Sequence, residues 1–279
     1  MLYKQYDQEA LNNQYNNRLQ VPGHAVHTET WERLSRQTEK EYFSINNFAY
    51  GELSRERLDI YPSSKPKSKT LVFIHGGYWR NMDKNLFHFV AKAFHQYNIT
   101  TVLVTYPLAP QASIDQAVSS CRKALNWVQE NISQFNGDAG ALYIAGHSAG
   151  GHLAVMMMTE DEKYPTPEVK GVCSMSGLFN LVPIQLSEIN ETLQMDKAMA
   201  LQNSPVYLPP LVNCPLLLTV GADETEEYKE QSDELYKNWK EKISIQLLQF
   251  KGMNHYSIIE GLLNNDSLLH QKVCELMGI

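Results

Sequence analysis

Apolar residues along this chain of 279 fall into short runs separated by stripes at helical spacing. Leu58-Asp59-Ile60-Tyr61 alternates and stops at Pro62, which predicts a strand and then a turn. Leu71-Val72-Phe73-Ile74 is continuous, as expected of a strand covered on both faces, and it runs into His75-Gly76-Gly77. Leu86, Phe87, Val90, Ala91 and Phe94 then repeat as a helical stripe, ahead of a strand over 101–106 closed by Pro107. The clearest helix is predicted over 114–135, where apolar residues from Ile114 to Phe135 recur every three or four positions. Another continuous run at 141–145 precedes a buried-helix pattern over 151–158, and further strands are predicted at 169–176, 215–220 and 243–250.

Strands alternating with helices at this spacing predict an α/β chain built on a mostly parallel, doubly wound sheet with helices on both faces, because parallel neighbours need crossover connections. Ligands of such sheets bind at the carboxyl ends of the strands. Residues 1–50 are rich in Gln, Asn and Tyr and hold one helical pattern, near 28–40; they are expected to lie over the domain as an extension. Residues 178–210, with four prolines, are expected to form a small cap inserted in a single domain spanning 1–279.

Composition narrows the partners. The net charge of −7 and the lack of a basic cluster argue against nucleic acid and anionic membrane surfaces, leaving a small-molecule substrate, with a homodimer open as the assembly. No apolar run approaches the ~18 residues of a membrane span, and the first residues stay polar through Asn17. A cytoplasmic protein is expected. Cys121, Cys173, Cys214 and Cys274 are far apart and read as reduced core thiols. His24 and His27 stand three apart without a third ligand nearby, so neither a metal nor a cofactor is expected.

The chemistry centres on Gly146-His147-Ser148-Ala149-Gly150, set between the 141–145 run and the following helix. In a G-x-S-x-G turn of this kind the serine is held out over the sheet edge as a nucleophile. A serine hydroxyl is a poor nucleophile at neutral pH and needs a base, which in turn needs an orienting group. His255, after the last strand, stands where the base should; His88, His95, His147, His152 and His270 compete less well. Asp223 and Glu224, both after the 215–220 strand, are the two candidates for the acid, and composition does not separate them. Backbone N–H groups of Gly76, Gly77 and Ala149 are the candidates for an oxyanion hole. Tyr78 and Trp79 follow the glycines directly, so they are candidates for binding an aromatic substrate, with packing beneath the loop as the alternative for Trp79.

These motifs resemble the hormone-sensitive-lipase-like branch of the α/β-hydrolases, with which Tyr106-Pro107-Leu108-Ala109-Pro110 also agrees. More narrowly, the chain resembles the kynurenine formamidase (arylformamidase) group. The resemblance rests on His75-Gly76-Gly77-Tyr78-Trp79, on Tyr15-Asn16-Asn17-Arg18 leading to Val21-Pro22-Gly23-His24, on Ser176-Gly177 with Leu181 and Pro183, and on Glu227-Tyr228 with Gln231-Ser232. It implies an α/β-hydrolase fold, hydrolysis of an N-formyl aromatic amine by a metal-independent Ser–His–acid triad, and Glu224 as the acid, where many members carry aspartate. A carboxylesterase for small acyl or aryl esters is the runner-up. A non-catalytic binding protein on the same fold is the rival of a different class.

Overall fold

A computed structural model of the chain describes residues 1–160 and 168–279. The strands are β1 (Ile45–Ala49), β2 (Arg57–Tyr61), β3 (Ser68–Ile74), β4 (Thr100–Thr105), β5 (Gly137–His147), β6 (Gly171–Met175), β7 (Leu216–Gly221) and β8 (Ile245–Phe250). They form one sheet in the order β1-β2-β4-β3-β5-β6-β7-β8. β2 runs antiparallel to β1 and β4, and every other pair is parallel. Every residue of β4, β6 and β7 is buried, which is why their sequences read as unbroken apolar runs. The last strand, at the edge, is half-open and starts at Ile245 rather than at 243.

Alternation along β3 divides the core. Val72 and Ile74 join the cluster that holds the helices Ile114–Asn131 and Ala149–Met156, while Leu71 and Phe73 face Phe87, Phe94, Leu269 and Val273 on the other side. Each such side chain contributes about 1.5–3 kcal/mol by leaving water. Ser113 and Gln116 form a reciprocal cap at the start of Ile114–Asn131. That helix stops short of the expected end: Ile132–Phe135 tightens into a 3-10 turn and Asn136 takes a left-handed conformation, φ 64°. The helix Ala149–Met156 is buried on all sides, consistent with its lack of a polar face.

The first fifty residues hold more structure than their composition indicates. Helices Gln8–Tyr15 and Asn17–Gln20 precede the expected one, which spans His24–Glu41, and β1 follows. In the region expected to be a cap, short helices Val182–Leu186, Asn190–Leu193 and Lys197–Gln202 follow one another. The two regions meet: Gln8 donates to the Leu186 carbonyl (3.0 Å) and Asn12 accepts from the Glu188 N–H (2.9 Å). Among the described residues no helix is long and apolar enough to cross a membrane.

Parallel register brings the carboxyl ends of the central strands to one edge. Ile74 of β3 is paired with Gly146 of β5, His147 with Met175 of β6, and Gly221 of β7 with Phe250 of β8. The residues that leave these ends are His75, Ser148, Ser176, Ala222 and Lys251, and the site is assembled just beyond them.

Candidate active site

Ser148 sits between β5 and the helix Ala149–Met156 with φ 57° and ψ −121°, a strained conformation for a residue with a side chain. The turn can close because position 150 lacks a side chain: a Cβ there would lie 2.0 Å from the Ile74 carbonyl oxygen. The Ser148 N–H donates to the Met175 carbonyl at 2.8 Å, which ties the turn to β6.

His255 lies in the loop after β8. Asn254 folds that loop by accepting from the N–H groups of Tyr256 and Ser257, both at 2.9 Å, and the His147 ring donates from Nε2 to the His255 carbonyl at 2.8 Å. His255 Nδ1 is 2.7 Å from Glu224 Oε2, and Nε2 is 3.1 Å from Ser148 Oγ. A carboxylate only accepts, so the imidazole proton is on Nδ1 and the Nε2 lone pair faces the serine hydroxyl. Glu224 is buried, and its Oε1 accepts from Ser176 Oγ at 2.5 Å and from the Gly221 N–H at 2.7 Å. Asp223 is exposed, with its N–H on the Met253 carbonyl. Of the two acids that the sequence leaves open, only Glu224 meets the histidine.

The loop after β3 faces Ser148 from the other side. Gly77 has φ 109°, and a Cβ there would sit 2.2 Å from the Asn81 carbonyl oxygen. His75 holds the preceding peptide by donating from Nδ1 to the Gly76 carbonyl at 2.7 Å. In a trans peptide the N–H points opposite to the C=O, so the Gly77 N–H is turned away from the His75 ring. Tyr106 stacks on that ring with centroids 4.4 Å apart and donates to the His75 carbonyl. Ala149 opens its helix, so its N–H has no acceptor within the helix.

A cavity of about 520 Å³ opens beside Ser148 and His255. Tyr78, Trp31 and Tyr256 give it aromatic walls, and Arg18, Arg80 and Glu188 bring charge to it. Trp79 is not among the residues that line it: the buried ring donates from Nε1 to His152 Nδ1 at 3.2 Å, beneath the loop. That corrects its placement as a substrate-binding residue. His24 and His27 bond to the Val21 carbonyl and to Glu260, and among the described residues no group of three or more potential ligands is arranged to hold a metal. Burial pulls His75 and His152 down to about 4, and burial with the neighbouring His255 pulls His147 to about 3, so all three rings are neutral at ordinary pH.

Four participants have no local signature of a role at the site. Ser176, at φ 51°, reaches Glu224; the Tyr15 carbonyl, the Asn17 amide and the Tyr228 hydroxyl form a hydrogen-bond chain behind Tyr78, and the Tyr228 ring packs 4.6 Å from that of His255. The family-like stretches around residues 15–18, 176–183 and 227–232 are the one signal in the sequence that touches them.

Comparison with known proteins decides the family. The BD-FAE family model matches residues 58–238. A kynurenine formamidase of Salmo salar is 35% identical over 84% of this chain and 82% of its own length. The chain belongs to the kynurenine formamidase family. The Danio rerio family member is 34% identical over the same shares. An isoprenylcysteine methylesterase of Arabidopsis thaliana is 29% identical over 48% of this chain and 34% of its own. Among solved structures, a candidate thioesterase from a Silicibacter species superposes with a TM-score of 0.83, 25% identity, and 93% and 97% of the two chains covered. Esterase B of Lactobacillus rhamnosis superposes at 0.70 with 14% identity over 93% and 94%, which speaks to the fold. A kynurenine formamidase family member with this fold is a serine hydrolase of the arylformamidase or esterase kind.

Proposed function

We propose that this chain hydrolyses the formamide of an N-formyl aromatic amine, with Ser148 as nucleophile, His255 as base and then acid, and Glu224 as the group that orients and charges the imidazole. The observation that carries the reading is the unbroken Glu224–His255–Ser148 chain opening on an aromatic cavity, in a protein aligned with kynurenine formamidases over most of its length. Ser148 Oγ attacks the formyl carbon as its proton passes to His255 Nε2. The oxyanion is met by the N–H groups of Ala149 and of Gly76 or Gly77, and the imidazolium gives its proton to the departing aniline nitrogen. Water repeats the sequence on the formyl-serine and releases formate.

Formyl is the smallest acyl group, so little room is needed on the acyl side and the binding surface goes to the ring. Both signs of charge at the cavity, Arg18 and Arg80 against Glu188, suit the zwitterionic tail of N-formylkynurenine. Four buried free cysteines favour a reducing compartment such as the cytosol.

The test is the hydrolysis of N-formylkynurenine beside p-nitrophenyl esters of increasing acyl length on one preparation. Formamide cleavage, with acetyl esters preferred over butyryl and longer ones, is expected. A rate that climbs from acetyl to octanoyl with no formamide cleavage would replace this reading with a general carboxylesterase.

A further inference from the structure

One hydrogen-bond chain behind the cavity wall has a fixed direction. The Tyr15 backbone carbonyl only accepts, so the Tyr78 hydroxyl, 2.7 Å away, donates to it. With that proton committed, Tyr78 Oη accepts from Tyr228 Oη at 2.6 Å, which commits the second phenolic proton. Neither oxygen then has a proton for Asn17, so both accept from it, its Nδ2 lying 2.9 Å from Tyr228 Oη and 3.4 Å from Tyr78 Oη. A flipped amide would set Oδ1 against two oxygens with no proton left to offer. The nitrogen end is therefore spent on the tyrosines. Asn17 Oδ1 is left without a partner among the described residues, on a side chain that is 8% exposed and lines the cavity with Ser148 and His255.

We propose that Asn17 Oδ1 accepts a hydrogen bond from the N–H of the scissile formamide and so sets a preference for amides over esters; the inference rests on the formamidase reading above. Tyr228 places the acceptor near the reaction: its ring lies 4.6 Å from that of His255. As the carbonyl becomes tetrahedral, the amide nitrogen loses its resonance and pyramidalises. An acceptor fixed on its hydrogen keeps the new lone pair free to meet the proton on His255. An ester oxygen carries no hydrogen, so it gains nothing from Asn17 and meets another oxygen's lone pairs instead.

The test compares kcat/KM for formanilide, N-methylformanilide and phenyl acetate. Asn17→Ala is expected to lower the formanilide value by about 10–30-fold more than it lowers the other two. The wild-type enzyme gives a reading that needs no variant: its preference for formanilide over N-methylformanilide exceeds that of hydroxide by about the same factor. Equal losses on all three substrates, or a wild-type preference no greater than that of hydroxide, overturn the role of Asn17 alone. A wild-type enzyme that cleaves phenyl acetate and neither formamide overturns the formamidase reading, and this inference with it.

Discussion

Two acid–histidine–hydroxyl chains run through this molecule. Glu224–His255–Ser148 lies beyond the ends of β5, β7 and β8; Asp59–His88–Tyr61 joins β2 to the residue after the turn Lys84–Phe87. The distances are alike: His88 Nε2 is 2.9 Å from Asp59 Oδ2 and Nδ1 is 3.0 Å from Tyr61 Oη. The settings differ. Asp59 also meets the buried ammonium of Lys84 at 3.2 Å and accepts from the Asn47 N–H at 2.6 Å, and none of these groups lines the cavity at Ser148. Among the described residues Glu224 meets only neutral donors besides His255, so its charge stays directed at the imidazole. An acid, a histidine and a hydroxyl in sequence thus make a structural brace when the acid is neutralised and the hydroxyl sealed. They make a candidate catalyst when the acid's one ionisable neighbour is the histidine and the hydroxyl faces a cavity with N–H groups around it.

The comparison breaks most sharply at the hydroxyls. Ser148→Ala and His255→Ala should each lower kcat by roughly 10⁴ or more with little further loss when combined, since the pair works as a unit; near-wild-type turnover in either variant would leave both chains as braces. Glu224→Gln should cost up to about 10⁴ in kcat by leaving the imidazolium without its carboxylate, whereas Asp223→Asn should match the wild type. A reversal of these two in steady-state assays would hand the role to Asp223.

For the other chain the readout is stability. Lys84→Met leaves Asp59 short of its buried cation and should lower the free energy of unfolding in urea by about 3 kcal/mol, with turnover per folded molecule unchanged. Burial pushes the Asp59 carboxyl up, but the His88 hydrogen bond, the Asn47 N–H and the Lys84 charge outweigh it and hold the group below its ordinary value. Stability from such a group is present above the unfolded carboxylate value, near ~3.9, and is lost as pH falls through the lower folded value. Acid unfolding of Lys84→Met below about pH 4 should therefore be less steep than that of the wild type, and an unchanged slope would remove Asp59 from the account.

The smallest expected effect sharpens the comparison at the acid. Ser176→Ala removes one donor from Glu224 Oε1 and should lower kcat about tenfold. A drop in Tm with kcat unchanged would make Ser176 a packing residue.

The legible parts of the sequence were those fixed by short-range rules. Continuous runs marked β3, β4 and β7 because each is buried on both faces, and the turn at Ser148 was readable because Gly146-His147-Ser148-Ala149-Gly150 stands between an apolar run and a buried-helix pattern. β1 was not readable: Ile45-Asn46-Asn47-Phe48-Ala49 is an exposed edge with a bulge, Asn47 has φ 58°, and no alternation survives. The choice between Asp223 and Glu224 depended on the rotation of one turn, where the Glu224 N–H bonds to the Gly221 carbonyl. Asn17 and Tyr228 stand in family-like stretches, but their meeting was beyond reach, since 211 positions separate two side chains that touch only after folding.

That wide spacing sets an order on the ribosome. Ser148 emerges 107 residues ahead of His255, a lag of roughly 5–20 s at ordinary elongation rates. Throughout that interval the nascent chain holds Ser148 without His255, so on the proposed mechanism it has no base with which to attack esters or amides. On that mechanism, competence waits for His255, the last of the three residues to be made.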